Sequence, residues 1–513
     1  AERRIPRRFE TGGTMSIRLR SYSLARILTP AILLATGVAA GCGDGDETTI
    51  VETSTGAGGT TTIPEGKAHV RVVHASSDAP AVDLYVAGAS EPLLTGLKYG
   101  DATDYLEVDA GEYDFELRAS PSSASDPVAY RTGPIDLGNK KRITTIAAGL
   151  LASDADASKF RVLAYTEEFG PAGGGNAMVR VVHASPDAPS VGIDLHDNDA
   201  ANPEITGIDR FTASDAAGFT MSAGKAEQIG ISANGQRVTA FTTPELPEGA
   251  QLFVIATGLT GKLAREADGF ALLAIGPDGS LGFIKQNPIV YALHASPNAP
   301  AVDAFAGDAE LLDNVSFGQL SGALQVPPGD YTLDFYAHEE GSTKPASAPA
   351  ASAKTGMLDR GERYLTIATG LLGHSTNGFQ LASYAEGFDR QTPNEARVRL
   401  VHSSPDAPAV DVGILNVEGV VNPVLVSNVS FPQASEPNGI VSGLGTIPLG
   451  VTPAGQSSTV VASFHVTTTE GTRAFGIAAG ALDPNNGASF RLLVVDTAST
   501  PWSVATVHPQ PQQ

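Results

Sequence analysis

A serine, a histidine and an acidic or amide residue recur together at four places in this 513-residue chain. The four segments are HASSD from His74, HASPD from His183, HASPN from His294 and HSSPD from His402. These residue types support either nucleophilic catalysis by a serine that histidine and a carboxylate activate, or metal binding through histidine and carboxylate. Both require the side chains to converge on one point, so the local backbone decides between chemistry and structure.

The residues before each histidine predict a β-strand with one apolar face. Two and four places before His74 lie Val72 and Val70, and the other copies carry Val, Ala or Leu there. Because alternate residues of a strand share a face, each histidine is expected to point into a core, neutral and hydrogen-bonded to the following turn. The residues three places before the histidines are expected on the opposite, more exposed face: Arg71, Arg180, Tyr291 and Arg399.

The triplets after the histidines predict a turn in which proline fixes φ and Asp or Asn caps the turn through its side-chain oxygen. The third copy has Asn298, and an amide can neither act as a general base nor neutralise a metal. A second acid follows at Asp83, Asp303 and Asp411, but the second copy has Gly192 there. The sequence contains no zinc-type spacing, phosphate-binding loop or nucleophile elbow. We therefore predict no catalytic, cofactor-binding or metal site.

The motif is one part of a longer repeat. The four histidines are 109, 111 and 108 residues apart. A second signature, Ile-Ala-Ala/Thr-Gly, ends at Gly149, Gly258, Gly370 and Gly480. A phenylalanine then opens another apolar run at Phe160, Phe270, Phe379 and Phe490. The residues between glycine and phenylalanine differ in every copy, which predicts a repeated framework that carries variable loops.

Alternation and turn composition predict the fold class. The segments GEYDFELRA from Gly111 and GDYTLDFYA from Gly329 alternate apolar and polar residues, and 56 Gly and 34 Pro make turns frequent. No long pattern of helical period occurs, so helices should be few. We predict an all-β chain of four tandem immunoglobulin-like antiparallel β-sandwich modules after a signal peptide and a flexible tether.

The HASPDAP phrases and the Ile-Ala-Thr-Gly-Leu segments resemble those of DUF4397, a domain family of unknown function in bacterial exported and surface proteins. The resemblance covers nearly all of residues 67–500, with the second and fourth copies more divergent in the middle. It implies four DUF4397-like repeats and a surface location, but no chemistry. The repeats are expected at 67–169, 177–285, 288–389 and 396–500, followed by a C-terminal tail at 501–513. The link Gly170–Asn176 is predicted to be flexible, and the joints near Gln286 and Gln391 shorter and stiffer.

The N-terminal part predicts export. Residues 1–14 precede the first methionine and are interpreted as a non-native upstream segment, and residues 15–41 as a lipoprotein signal peptide with a basic start and an apolar run. The sequence Val-Ala-Ala-Gly-Cys that ends at Cys42 resembles the lipobox of bacterial lipoproteins, in which the cysteine is diacylated. Cys42 is the chain's one cysteine and has no disulfide partner, so lipidation is predicted there. Residues 42–66 are interpreted as a disordered tether.

Charge restricts the partners. A net charge of −23 makes nucleic acid an improbable ligand, because an acidic surface repels phosphate backbones. Loop acids at Asp154, Asp156 and Asp197-Asn198-Asp199 offer oxygen ligands for calcium, but they lack the EF-hand pattern and are interpreted as solvated. Trp502 is expected to cover the end of the last module.

These patterns together predict a lipid-anchored protein of the cell envelope, on the outer membrane or cell surface. It is expected to act as a non-enzymatic multi-module binding or structural scaffold, without a cofactor, for a surface protein or glycan. Its binding site is predicted on the variable loops Ala152–Lys159, Thr260–Gly269 and Gly373–Gly378. The alternative is a secreted hydrolase whose site is formed by the variable loops of one module.

Overall fold

The computed structural model describes residues 62–195, 199–341, 343–390 and 392–511. The predicted signal peptide, Cys42 and most of the predicted tether lie outside these residues. Regular structure in the described part consists of β-strands and one 3₁₀ turn, Pro484–Asn486, so the all-β prediction is confirmed. No helix in these ranges is long and apolar enough to cross a bilayer.

The strands fall into four successive groups, here called modules 1 to 4. Module 1 contains β1 Lys67–His74, β2 Val82–Val86, β3 Leu94–Leu97, β4 Leu106–Asp109, β5 Gly111–Ala119, β6 Tyr130–Leu137, β7 Arg142–Ala148 and β8 Arg161–Thr166. Module 2 contains β9 Asn176–His183, β10 Val191–Asp194, β11 Ile205–Ile208, β12 Phe219–Ser222, β13 Gln228–Ala233, β14 Gln236–Thr242, β15 Gln251–Thr257, β16 Ala271–Gly276 and β17 Gly279–Ile284.

The second half of the chain repeats this arrangement. Module 3 contains β18 Ile289–His294, β19 Val302–Ala306, β20 Ala309–Val315, β21 Leu324–Gln325, β22 Gly329–Ala337, β23 Ala351–Leu358, β24 Arg363–Thr369 and β25 Gln380–Ala385. Module 4 contains β26 Ala396–Ser403, β27 Val410–Leu415, β28 Val421–Val429, β29 Ile440–Ser442, β30 Gly445–Pro453, β31 Ala462–Thr468, β32 Arg473–Ala479, β33 Arg491–Asp496 and β34 Ser503–Val507.

Each module is a sandwich of two sheets with one recurring strand order. In module 1 the histidine sheet has the order β4-β1-β7-β8 and the second sheet the order β3-β2-β5-β6. Modules 2 and 4 add a fifth strand, β17 or β34, to the edge of the histidine sheet. The motif strand and the Ile-Ala-Thr-Gly strand pair in parallel in every module, whereas the other strand pairs are antiparallel. The two signatures therefore lie side by side at the centre of the histidine sheet.

Both faces of the histidine sheet are buried. In module 1 the inner face packs on the second sheet through residues such as Val70 and Ile143. The outer face packs Val73 and Ile146 against Phe253 of module 2. Burial on both faces explains why these parallel strands are almost continuously apolar. We call this contact the module 1–2 interface, and an equivalent module 3–4 interface joins the histidine sheets of the last two modules.

These interfaces correct one prediction. The residues expected on an exposed face are buried, with exposed fractions of 1% for Arg71, 7% for Arg180, 1% for Tyr291 and 8% for Arg399. The Arg71 guanidinium is hydrogen-bonded to Thr144 Oγ1 at 2.8 Å, to the Gly276 carbonyl of module 2, and lies 3.3 Å from Glu167 Oε1. A charged residue on an alternating strand is compatible with either solvent or a neighbouring module that supplies acceptors, so the pattern alone cannot tell the two apart.

Trp502 also lies elsewhere than predicted. Its ring stacks on Tyr291 of module 3, with centroids 4.3 Å apart and planes at 11°, and it is 5% exposed. It therefore fills the module 3–4 interface and does not cover the end of the last module, contrary to the prediction. Modules 1 and 2 are packed together in the same way, so the Gly170–Asn176 link does not set their arrangement by itself.

Candidate functional site

The four motif histidines are buried and occupy equivalent positions. Their exposed fractions are 0% for His74, 1% for His183, 2% for His294 and 2% for His402. Each Nε2 donates to the carbonyl oxygen of the proline six residues later, at 2.8–3.1 Å. Burial lowers the pKa of all four imidazoles, so they are neutral near pH 7. The prediction of a buried, neutral histidine that is bonded to the following turn is confirmed.

The hydroxyl of the motif serine bonds away from the histidine, although the backbone N–H of Ser76 donates to His74 Nδ1 at 3.4 Å. Ser76 Oγ donates to the carbonyl oxygen of Gly149 at 2.7 Å, and Ser185 and Ser296 make the same bond to Gly258 and Gly370. These hydroxyls are therefore directed to the neighbouring parallel strand. In a catalytic triad a ring nitrogen of the histidine accepts the proton of the serine hydroxyl. Here Nε2 donates to a proline carbonyl, and the serine hydroxyl donates to a glycine carbonyl.

The motif acid holds the variable loop. Besides a 3.2 Å bond from the Ser76 hydroxyl, Asp78 accepts the backbone N–H groups of Leu151 and Ala152, both at 2.8 Å. Asn298 accepts from Leu372 N at 2.8 Å and donates to Leu372 O at 3.0 Å. The predicted bond within the turn is present where the serine hydroxyl lies beside the aspartate, but the backbone donors of this acid belong to the variable loop. These partners lie 73–74 residues away, because the parallel strand pair brings the loop beside the turn.

The signature glycine closes the same loop. Its φ is +84° at Gly149, +79° at Gly258, +87° at Gly370 and +91° at Gly480. A Cβ atom at any of these positions would lie 2.1–2.5 Å from a carbonyl oxygen at the far end of the loop. Only glycine allows that approach together with a left-handed backbone. Each variable loop is therefore fixed at both ends, while the residues between the two ends can differ from module to module.

The variable loops also contact neighbouring modules. The carbonyl of Ala157 in the first loop accepts from Arg210 of module 2 at 2.8 Å. Asn377 Nδ2 in the third loop donates to the carbonyl of Pro405 in module 4 at 2.6 Å. Arg265 in the second loop forms an ion pair with Glu386 of module 3 at 2.7 Å. Part of the sequence variation in these loops therefore serves contacts between modules.

Two of the loop acids considered for calcium, Asp156 and Asp199, are engaged within their own loops. Asp156 Oδ1 lies 2.5 Å from Lys159 Nζ, and this bond lowers the pKa of the Asp156 carboxyl. Asp199 accepts from Ala201 N at 3.1 Å and from Asn202 Nδ2 at 2.8 Å. The other two members of that segment, residues 197 and 198, lie outside the described residues. This pairing gives no support to a calcium site at Asp156.

Modules 3 and 4 each contain a small apolar cavity between their own two sheets. Their volumes are about 50 Å³ in module 3 and about 60 Å³ in module 4. Ligand pockets typically measure roughly 300–1,000 Å³. Neither of these two cavities is large enough for an organic ligand of ordinary size.

The second acid of the motif is a buried clamp. Asp83, with 1% exposure, accepts the N–H groups of Gly96 and Ser122 at 2.8 and 2.7 Å. Asp411 does the same with Asn428 and Gly455, both at 2.8 Å. One donor N–H of each pair, at Gly96 or Asn428, belongs to the edge strand of the second sheet. The other, at Ser122 or Gly455, follows a central strand of that sheet. This acid therefore ties two separate segments together in modules 1 and 4.

In module 3 the same clamp is part of a cluster that sequence reasoning missed. Asp303 Oδ1 lies 2.8 Å from His338 Nδ1, and Asp313 Oδ1 lies 3.4 Å from the same nitrogen. One ligand atom from each residue falls within 4.8 Å of the other two. The nearby Glu310 has a pKa raised by burial and by the charges of Asp313 and Asp303. Alignment of the four copies by strand would have found Asp313 and His338, but their spacing in the sequence matches no metal motif.

The comparisons with known proteins concern two regions of the chain. The profile of the DUF4397 family matches residues 68–194 and 289–413. Each match begins in an odd-numbered module and ends in the second strand of the next module, so the matched unit spans part of a packed pair. No curated protein matches the chain. Through these two regions the chain resembles DUF4397, whose description, domain of unknown function, assigns no chemistry.

Proposed function

We propose that this chain is a lipid-anchored cell-envelope protein that acts as a non-enzymatic multi-module scaffold, with all four modules of the DUF4397 type. The observation that carries the proposal is the use of the recurrent Ser, His and Asp side chains. In module 1, His74 bonds to a proline carbonyl, Ser76 to a glycine carbonyl and Asp78 to two loop amides. These three side chains of the motif bond to backbone groups of the framework, which favours a structural motif over a reaction centre.

The packing between modules supports a scaffold with fixed internal geometry. Apolar side chains from the histidine sheets bury each other at the module 1–2 and module 3–4 interfaces. Glu386 of module 3, which is fully buried, pairs with Arg265 of module 2 and so connects the two halves. Such contacts hold the loops of successive modules at constant separation, which suits recognition of an extended surface partner.

We further propose that selective binding uses the exposed parts of the variable loops Ala152–Lys159, Thr260–Gly269 and Gly373–Gly378, with a surface protein or glycan as ligand. The motif acid and the signature glycine fix both ends of each loop, so the middle can change without loss of the sandwich. The test is an exchange of loop residues 152–157 with the equivalent residues of module 3. Binding to an array of glycans and envelope proteins is then measured. Binding that is unchanged by the exchange would place recognition on the framework.

The lipid anchor is tested separately at Cys42. Mass spectrometry of the membrane fraction should find a mature N-terminus at a diacylated Cys42, and Cys42→Ser should release the chain into the soluble fraction. A wild-type protein with a free Cys42 thiol in the soluble fraction would remove the anchor from the proposal. The scaffold and the loop sites would stand without it.

The rival proposal of a secreted hydrolase needs a histidine and carboxylate cluster in one module only. Asp303, Asp313 and His338 form such a cluster, but they lie on the second sheet of module 3 and not on a variable loop. Activity of the purified chain toward ester, peptide and glycoside substrates, lost in His338→Ser, would favour the hydrolase. Absence of such activity is the result that the scaffold proposal expects.

A further inference from the structure

We propose that Asp303, Asp313 and His338 of module 3 bind one divalent transition-metal ion of the zinc class. The His338 nitrogen lies 2.8 Å and 3.4 Å from the two carboxylate oxygens. Ligand atoms at about 2.0–2.2 Å from a tetrahedral zinc ion lie about 3.3–3.6 Å from one another. One nitrogen–oxygen separation falls in that range, the other is about 0.5 Å shorter, and all three ligand atoms lie within 4.8 Å of one another. Small side-chain movements would therefore let the three atoms share one ion. This proposal does not depend on the lipid anchor or on the variable loops.

The framework fixes the first carboxylate in advance. Asp303 is 3% exposed and accepts from Asn314 N at 2.8 Å and from Glu339 N at 3.1 Å. Asp83 and Asp411 are clamped in the same way in modules 1 and 4. A carboxylate whose orientation is set by backbone donors is a preorganised ligand. Module 3 has only to add two side chains to this clamp.

Both additions are specific to module 3. Asp313 directly precedes Asn314, a residue with positive φ on the edge strand, and the equivalent places in the other modules hold Thr95, Thr206 and Ser427. His338 donates its backbone N–H to Ala301 just after β22. The residues that make this bond in modules 1 and 4 are Ser120 and Ala454. Two substitutions from different segments thus converge on one framework acid.

The charge around the cluster is unbalanced. Glu310 lies close enough to Asp303, Asp313 and His338 to interact with their charges, and its Oε1 atom is buried without a hydrogen-bond partner. Among the described residues, no lysine or arginine forms an ion pair with Asp303, Asp313 or Glu310. Two carboxylates here share one imidazole, and a buried unpaired oxygen is costly. A bound cation compensates this excess of negative charge.

The donor set indicates the class of ion. Calcium and magnesium take oxygen ligands, whereas an imidazole nitrogen with two carboxylates suits zinc and its neighbours in the transition series. The Asp313 side chain is 66% exposed, so one side of the cluster faces solvent. Water or a donor from a binding partner can complete the coordination there.

The experiment uses the full chain with Cys42→Ser, without a histidine tag, so that neither a thiol nor a tag binds the metal. After treatment with a chelator, the protein is titrated calorimetrically with zinc, calcium and magnesium chlorides. We expect one zinc ion per chain and no comparable binding of calcium or magnesium. Asp313→Thr and His338→Ser, which introduce the residues of module 1, should each weaken zinc binding at least about tenfold. The exposed His465 of module 4 gives the control, and His465→Ser should leave the affinity for zinc unchanged.

An ion pair without a metal function is the competing explanation of the same contacts. Absence of stoichiometric zinc binding, or unchanged affinity in the double variant Asp313→Thr with His338→Ser, would overturn the proposal. Preference for calcium would overturn the assigned class of metal. If a variant does not fold, X-ray absorption of the zinc-loaded parent still decides the question. One nitrogen and at least two oxygen ligands are expected, and two or more imidazoles would contradict the site.

Discussion

The module 1–2 and module 3–4 interfaces use one framework to bury a charge in two ways. Both odd-numbered modules end their histidine sheet with Tyr-x-Glu-x-Phe, which places Glu167 and Glu386 at equivalent positions. In the first interface Glu167 lies beside Arg71, which belongs to the same module. In the second, the place of Arg71 is taken by Tyr291, which stacks on Trp502.

Because Tyr291 carries no charge, Glu386 has other counterions. Its carboxylate lies 2.7 Å from Arg265, 2.9 Å from Arg363 and 3.0 Å from Arg390. Burial opposes ionisation, but these three charges outweigh it and hold the pKa of Glu386 below its usual value. One of the arginines comes from module 2. The presence of the uncharged Tyr291 in place of an arginine thus accompanies an ion pair that links the two halves of the molecule.

The largest expected effect is the loss of the Glu386 charge. Glu386→Gln leaves three arginines without their shared counterion, and removal of one member of a buried ion pair costs about 3–5 kcal/mol. Glu167→Gln should cost less, because Arg71 keeps its bonds to Thr144 and Gly276. Native-state hydrogen exchange, read separately on peptides of each module, measures both. Equal losses in the two variants would show that the number of counterions is irrelevant.

Trp502→Ala should give the next effect. The ring is buried against Tyr291 and Phe475, and removal of a buried aromatic side chain costs about 3 kcal/mol or more through the cavity it leaves. Exchange should rise in modules 3 and 4 and stay unchanged in modules 1 and 2. Trp502→Phe is the matched control and should restore most of the protection. A rise in all four modules would mean that the two interfaces are not independent.

Acid should weaken all four modules alike. Burial lowers the pKa of each motif histidine in the folded state below its unfolded value of about 6.5. As the pH is lowered through this value, the unfolded chain binds more protons than the folded chain. The free energy of unfolding therefore decreases as the pH decreases, by up to about 1.4 kcal/mol per pH unit for each histidine. Exchange protection between pH 7 and 5.5 measures this slope. His402→Gln should flatten the slope in module 4 only, and an unchanged slope there would assign the acid sensitivity to other groups.

The sequence was sufficient for what depends on local pattern. Alternation gave the strands and the inward-facing His74, and repetition gave the framework and its variable loops. The burial of the outer face of the histidine sheet was not predictable, because Arg71 there donates to a carbonyl from another module. The cluster at Asp303 was missed for a similar reason. Asp313 and His338 are brought together by the pairing of strands that are distant in sequence, and no local pattern records that pairing.

The smallest expected effect concerns the motif acid, which is Asp in module 1 and Asn in module 3. Asp78→Asn removes one of two carboxylate acceptors, so either Leu151 N or Ala152 N loses a charge-assisted bond, at a cost of about 1 kcal/mol. Asn298→Asp keeps the bond from Leu372 N but turns a carboxylate oxygen toward Leu372 O in place of an amide donor, which should cost a similar amount.

Exchange at residues 150–159 and 371–378 reads the two changes directly, and the sandwich strands serve as the internal control. In both variants the loop should loosen while the strands keep their protection. If the Asp78→Asn strands lose protection as much as the loop does, the acid holds the motif turn as well. Asp78 would then act mainly as the cap of its own turn and not as the anchor of the variable loop.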